Sequence, residues 1–157
     1  AVVAGGGSRQ ESVWLGLNAL SEDIQLAAIH DGARPLVSNL VIDRTVRAAN
    51  SYGAAAPAVP VKDTIKVVKG GLVEKTPERA TLQAVQTPQV FDFDLLRGAL
   101  KQAEEEKAAV TDDCSAVERL GMKVSLTQGS RENLKLTTPF DLVVGEAILD
   151  ARERGEL

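Results

Sequence analysis

Three glycines, Gly5-Gly6-Gly7, precede Ser8-Arg9-Gln10-Glu11-Ser12. Glycines between a strand and a helix let backbone N–H groups approach a ligand, and a helix start favours negative charge. The run matches neither GxGxxG nor GxxxxGK(S/T), so alone it is equally a nucleotide site or a tight βα turn. Asp31-Gly32-Ala33-Arg34-Pro35 is a second cluster. It follows an expected strand, where ligands of open α/β sheets gather. An acid and a base three residues apart can address a hydroxyl and a phosphate together, or simply pair with each other. His30, the only histidine, reads as a hydrogen-bonded core residue at a strand end rather than a base. Lys62, Thr64 and Lys66 would share one face of a strand, while Arg79 and Lys135 stand as isolated bases. Each alone reads as solvated surface. As a set they suit a site that handles several phosphates, where positive charge stabilises transferring oxygens. Cys114 reads as core and Glu104-Glu105-Glu106-Lys107 as a solvated helix face. No Cys/His cluster of the structural-zinc type occurs, and no metal-ligating residue is assigned.

These residues need elements to position them. Residues 1–3 read as a strand already under way, running into the glycines. Val13, Leu17 and Leu20 then recur at helical spacing. Residues 26–30 read as a strand, Ser38 as the N-cap of a helix ending at Gly53, and residues 54–59 as a third strand. Such βα units predict an α/β fold: a Rossmann-like, doubly wound, mostly parallel sheet. Residues 60–86 break the rhythm. Two short runs flank Lys69-Gly70-Gly71, a hairpin signal. An isolated hairpin is marginal in water, so this one is expected to protrude as an arm that packs on something else, including a second subunit. A helical stripe follows at Leu95, Leu96, Ala99, Leu100 and Ala103. Thr111-Asp112-Asp113 caps a short helix ending at Gly121. Residues 123–127 and 133–136 read as strands, and Thr138-Pro139-Phe140-Asp141 opens a last helix to about Arg154.

A chain of 157 residues is enough for one domain and too short to expect two. Apolar residues make up 44% and charged residues 25%, ordinary for a globular protein. The apolar runs fall far short of the ~20 residues a bilayer requires, so no membrane partner is expected. A single cysteine excludes an internal disulfide and fits a reducing cytoplasm. The net charge of −4 argues against a nucleic-acid-coating protein but not against a small anionic substrate held by a local basic cluster.

The glycine run through Val13, His30-Asp31-Gly32-Ala33-Arg34-Pro35, and Pro60-Val61-Lys62-Asp63-Thr64-Ile65-Lys66 occur in order. They are followed by Thr87-Pro88-Gln89-Val90-Phe91, Thr111-Asp112-Asp113 and Asn133-Leu134-Lys135-Leu136-Thr137. This ordered set, covering nearly the whole chain, closely resembles the carboxy-terminal portion of the methylerythritol-phosphate cytidylyltransferases. The resemblance implies a single nucleotidyltransferase-like domain over residues 1–157, with a dimerisation arm at about 60–86. It implies cytidylyl transfer from CTP to 2-C-methyl-D-erythritol 4-phosphate, giving the cytidine diphosphate adduct and pyrophosphate in non-mevalonate isoprenoid biosynthesis. Mg2+ would be bound mainly through the CTP phosphates. By match, Gly5, Gly6 and Ser12 read cytosine, so the glycine loop becomes a base reader rather than a phosphate cradle. Asp31 and Arg34 contact ribose or the sugar phosphate, and Thr64, Thr87, Thr111 and Thr137 contact the substrate. Lys135 orients the substrate phosphate, and Arg79 reaches into the partner's site of a homodimer. Gly7 stands where some members carry an acid, and Gly32 replaces a common alanine. The family's basic amino-terminal triphosphate loop has no counterpart here, so the chain alone is expected to be inactive. The alternatives are a ribitol-5-phosphate cytidylyltransferase and a non-catalytic nucleotide-binding or dimerisation module.

Overall fold

The computed structural model describes residues 2–21 and 23–157. In chain order they form α1 (Arg9–Asn18), β1 (Leu26–Ile29), α2 (Asn39–Tyr52), β2 (Ala54–Pro60), β3 (Val67–Lys69) and β4 (Leu72–Lys75). A 3-10 turn (Arg79–Thr81), β5 (Gln83–Val85), β6 (Gln89–Asp92), α3 (Phe93–Glu105), α4 (Asp113–Arg119), β7 (Ser125–Gln128) and α5 (Pro139–Glu153) follow.

Five strands make the main sheet. β2 lies at its centre, pairing antiparallel with β6 at Ala54 and Ala55, antiparallel with β5 at Ala58 to Pro60, and parallel with β7. β1 joins the far side of β6, also antiparallel. Thus β1, β2 and β7 run one way and β5 and β6 run against them, so the α/β sheet is mixed, with one parallel and three antiparallel pairings, where a mostly parallel one was expected. Sequence reading found the three co-directional strands and missed β5 and β6. Gln89–Asp92 is a four-residue strand entered directly from a loop, too short to show a period of its own.

Alternation along the central strands divides the core in two. Ala54, Ala56, Ala27 and Phe91 face α1, α3 and α4, where Leu17, Leu96, Leu100 and Val117 are buried. Ala55 and Val90 face Ala49 of α2 on the other side. Helices therefore cover both faces, which explains why β2 is a run of small apolar residues rather than an alternating one. Burying side chains such as Phe91, Leu96 or Leu100 stabilises the fold by about 1.5–3 kcal/mol each.

The caps follow the sequence closely. Ser38 accepts from Val41 N, and Gly53 ends α2 at φ 80°, a left-handed position natural to glycine. Asp112 and Ser115 form a capping box on α4, and Thr138 and Asp141 form one on α5, with Pro139 in its first turn. In α3, Leu96, Ala99, Leu100 and Ala103 form the buried stripe.

Three segments differ from expectation in their secondary structure. Ala1 lies outside the described residues, and Val2 and Val3 are exposed and in no strand. Residues 62–66 are irregular, because β3 begins only at Val67, so strand alternation does not align Lys62, Thr64 and Lys66. Residues 133–136 pair in no sheet; Leu136 N instead donates to Ala33 O at 2.7 Å, docking this segment against the 31–34 turn. The hairpin itself is present as β3 and β4, antiparallel and solvent-exposed, turning at Gly70 (φ 58°) and Gly71 (φ 80°).

Candidate functional site

The turn after β1 brings together what lay a hundred residues apart in the sequence. Asp31 Oδ2 is 3.3 Å from Arg34 Nε and 3.2 Å from Lys135 Nζ. Arg34 Nη1 also donates to the Asn133 carbonyl at 2.7 Å. The Asp31 and Arg34 side chains are 17% and 14% exposed, whereas Lys135 is 46% exposed, so the lysine has most freedom to turn toward a ligand. Burial pushes the Asp31 carboxyl up, but the hydrogen bonds and charges of Lys135 and then Arg34 outweigh it and hold the group below the usual carboxylate range. The Asp–Arg pair is thus present, and Lys135 extends it into a bridge with two cations on one oxygen.

Buried amides hold this bridge in place. Asn133 is fully buried; its Nδ2 donates to Thr87 O at 2.8 Å and more weakly to Gln86 Oε1 at 3.4 Å. Gln86 Nε2 donates to Ser130 O at 2.8 Å and toward Asn133 O at 3.3 Å. A β-carbon on Gly129 would lie 2.5 Å from Gln86 Oε1 and 3.1 Å from the Ala58 carbonyl, so the close approach requires glycine. In the sequence Asn133 stands out only as part of a motif, and Gln86 does not stand out at all. An amide that works by filling a buried acceptor array has no spacing signature.

Thr87 Oγ1 lies 3.1 Å from Asp31 N and 3.0 Å from His30 Nδ1. His30 is hydrogen-bonded as expected but exposed, which corrects its reading as core.

The glycine loop is stapled internally. Gly6 N donates to Ser12 Oγ at 3.0 Å, Gly7 N donates to Glu11 Oε2 at 2.6 Å, and Ser12 Oγ donates to Ser8 O at 2.8 Å. A β-carbon at Gly6 would collide with Glu11, and one at Gly5 would sit 3.2 Å from Ser12 Oγ. Arg9, the first residue of α1, donates to the buried Asp113 at 2.7 Å. Gln89 connects the far side of this pair to the sheet: its Oε1 accepts from Asp113 N and Cys114 N, and its Nε2 donates to Asp112. Burial lowers the Arg9 pKa, while the hydrogen bond and charge of Asp113, with Asp31 and Asp112 adding to the field, raise it on balance. Cys114 is buried, and that burial, with the carboxylates of Asp112, Glu118 and Asp113, pushes its thiol up, so it is no nucleophile.

The remaining sequence candidates are dispersed. Thr111 is exposed and its N–H donates to Ser115 Oγ. Thr137 donates through both N and Oγ1 to Asp141 Oδ2, at 2.9 and 3.1 Å. Thr64 is exposed before β3. Arg79 bonds within the arm, its Nη1 donating to Lys62 O at 3.0 Å. Among the described residues, no hydrogen bond or ion pair joins Arg79, Thr64, Thr111 or Thr137 to the Asp31 bridge. No three His, Cys, Asp or Glu side chains converge as a metal cage among the described residues either. Among those residues, no helix is long and apolar enough to cross a membrane.

Comparison with known proteins extends this geometry. The chain is 52% identical over 97% of its length to the 2-C-methyl-D-erythritol 4-phosphate cytidylyltransferase of Desulforamulus reducens. It is 54% identical over 98% of its length to that of Halalkalibacterium halodurans. It spans about two thirds of these relatives, 65% and 67% of their lengths. The crystal structure of the protein of that name from Thermus thermophilus superposes with a TM-score of 0.85 at 39% identity, covering 93% of this chain and 71% of that one. The 4-diphosphocytidyl-2C-methyl-D-erythritol synthase of Anaerococcus prevotii superposes at 0.87 with 32% identity, covering 93% and 68%. Since the family model of IspD, 2-C-methyl-D-erythritol 4-phosphate cytidylyltransferase, matches residues 1–151, and fold and sequence agree with it, the chain belongs to that family.

Proposed function

We propose that the protein carrying this chain transfers a cytidylyl group from CTP to 2-C-methyl-D-erythritol 4-phosphate. A phosphate oxygen of the sugar attacks the α-phosphorus of CTP. The new phosphoanhydride forms as the α–β anhydride breaks, and pyrophosphate leaves with the bonding electrons. The observation that carries the reading is the bridge at Asp31, in a chain so similar to enzymes named for this reaction. Lys135 and Arg34 offer cations that can exchange Asp31 for an incoming phosphate and hold the attacking oxygen in line. Gly5, Gly6 and Ser12 sit on the nucleotide side, with Asp31 shared between nucleotide and sugar. Thr64, Thr111 and Thr137 would contact substrate after local rearrangement, Thr137 by leaving Asp141.

Mg2+ does not fit a cage of this chain's own carboxylates, since Asp31 is taken by two cations. The ion would arrive on the triphosphate oxygens. We place the reaction in the cytoplasm, where the lone Cys114 stays reduced.

A homodimer through the arm belongs to the same proposal, with Arg79 completing the partner's site. Its support is the exposed apolar surface of the hairpin, where Leu72 is 77% and Val73 60% exposed. The test is pyrophosphate release by a family-length enzyme containing this chain, with CTP and either methylerythritol phosphate or ribitol 5-phosphate. Turnover is expected with the first. Turnover confined to ribitol 5-phosphate, or none with either, would reject the assignment.

A further inference from the structure

His30 lies between the turn it precedes and Thr87, in the loop that enters β6. Its Nε2 is 3.1 Å from the Arg34 carbonyl, and its Nδ1 is 3.0 Å from Thr87 Oγ1. A carbonyl oxygen only accepts, so in the neutral ring the proton sits on Nε2 and Nδ1 carries the lone pair. Nδ1 must then receive the proton of the Thr87 hydroxyl. That same hydroxyl oxygen accepts from Asp31 N at 3.1 Å. The bonds run in one direction: Asp31 N–H to Thr87 Oγ1, Thr87 Oγ1–H to His30 Nδ1, and His30 Nε2–H to Arg34 O. Both ends lie in the turn carrying Asp31 and Arg34, which Arg34 N closes by donating to Asp31 O at 2.9 Å.

We propose that His30 is a positioning residue of the phosphate-handling site: by engaging the Thr87 hydroxyl proton with Nδ1, it makes Thr87 an acceptor clamp on Asp31. Thr87 then acts through the turn, because a hydroxyl has one proton and this one is committed. It has none left for a phosphate oxygen. The functional part of this inference rests on the cytidylyltransferase reading; the hydrogen-bond part does not, and the two are tested separately.

His30 is the only histidine, so its ring nitrogens are unambiguous in a long-range proton–nitrogen NMR spectrum of the labelled chain. The expected spectrum of the neutral ring shows protonated Nε2 and unprotonated, hydrogen-bonded Nδ1. Thr87→Val should move the Nδ1 resonance toward that of an unbonded nitrogen, and Thr87→Ser should restore it. A proton on Nδ1 in the unsubstituted chain, which needs no variant to observe, overturns the proposal. So does an Nδ1 resonance indifferent to Thr87→Val in a variant whose amide spectrum shows it folded. In the family-length enzyme, His30→Phe and Thr87→Val should each lower turnover about tenfold, leave the KM for CTP unchanged, and combine without further loss, since both break one chain of bonds. Independent, multiplying losses, or a raised sugar-phosphate KM with Thr87→Val alone, would instead make Thr87 a direct ligand and overturn the clamp.

Discussion

Asp31 concentrates the chemistry at the scale of single residues. One of its oxygens faces two cations, and the more exposed of them, Lys135, is the one free to swing. Lys135→Ala in a family-length enzyme is expected to lower turnover about 100-fold, the scale at which misplacement of a reacting group acts, with little change in CTP binding. Steady-state kinetics with each substrate varied checks it, and unchanged turnover would make Lys135 a surface charge. The same substitution has a signature without catalysis. Folding lowers the Asp31 pKa, so the ionised carboxylate stabilises the native state. That contribution is full above the unfolded value, about 3.9, and is lost as pH falls through the lower folded value. Removing Lys135 leaves burial opposed by Arg34 alone, so the carboxyl should titrate at higher pH. Carbon-13 NMR of the Asp31 carboxyl reads this directly; an unmoved titration would mean that the ion pair does not persist in solution. Ser12 supplies a third test. Its hydroxyl is engaged by Gly6 N and Ser8 O, so Ser12→Ala loosens the loop proposed to read cytosine. The ratio of kcat/KM for CTP over UTP should shrink several-fold, and an unchanged ratio removes Ser12 from base recognition.

Elements, not residues, decide how well this site is held, and here sequence reading was uneven. Caps were readable because a cap is local chemistry: Ser38, Asp112, Thr138 and Gly53 act within four residues of where they stand. The co-directional strands β1, β2 and β7, the hairpin and the helix stripes were readable from period and turn chemistry, whereas β5 and β6 were not. Segments whose hydrogen bonds are long-range were not. Residues 133–136 look like a strand because Leu134 and Leu136 alternate with polar neighbours, yet their partners are Arg34, Thr87 and Ala33, in a turn and loops rather than a sheet. In the same way, composition could list Asp31, Arg34 and Lys135 as charges, but only the docking of Leu136 on Ala33 puts them on one oxygen. Gly129 tests whether this scaffold is as tight as it looks. An added methyl meets backbone at Ala58 as well as Gln86 Oε1, and the backbone cannot rotate away. Gly129→Ala is expected to cost about 1–3 kcal/mol, the usual range for overpacking, measured as a lower urea midpoint at unchanged slope. A neutral result would show that the Gln86–Asn133 array has slack and does not fix Arg34.

Among the described residues, the hairpin pairs with no strand outside itself, and its exposed apolar residues, like Phe140, Leu142 and Val143 of α5, are uncovered surface. β3 and β4 pair only with each other, and Val68, Leu72 and Val73 are 55%, 77% and 60% exposed on them. Apolar residues on a two-stranded ribbon gain stability only by being covered, and the proposed cover is a second copy, its arm meeting this one across a two-fold axis. Such an axis would carry Arg79, whose observed bond is to Lys62 in its own arm, toward the Asp31 bridge of the other subunit. Arginine suits that task, since its planar fork can grip a phosphate with two parallel hydrogen bonds. Light scattering should find a dimer in solution, and deleting residues 64–76 should leave a folded monomer. Catalysis then separates an arm that merely dimerises from one that completes a site. Family-length subunits bearing Arg79→Ala are mixed with others bearing Lys135→Ala, each nearly inactive as a homodimer. Where Arg79 acts in its own subunit, every site in the heterodimer lacks one of the two residues and activity stays low. Where it acts across the axis, one site of each heterodimer holds Arg79 and Lys135 together while the other holds neither. Activity should then return to about half that of the unsubstituted dimer per heterodimer, because two equivalent sites are replaced by one intact and one empty. No recovery in a sample shown by mass spectrometry to contain heterodimers rejects the crossed arm.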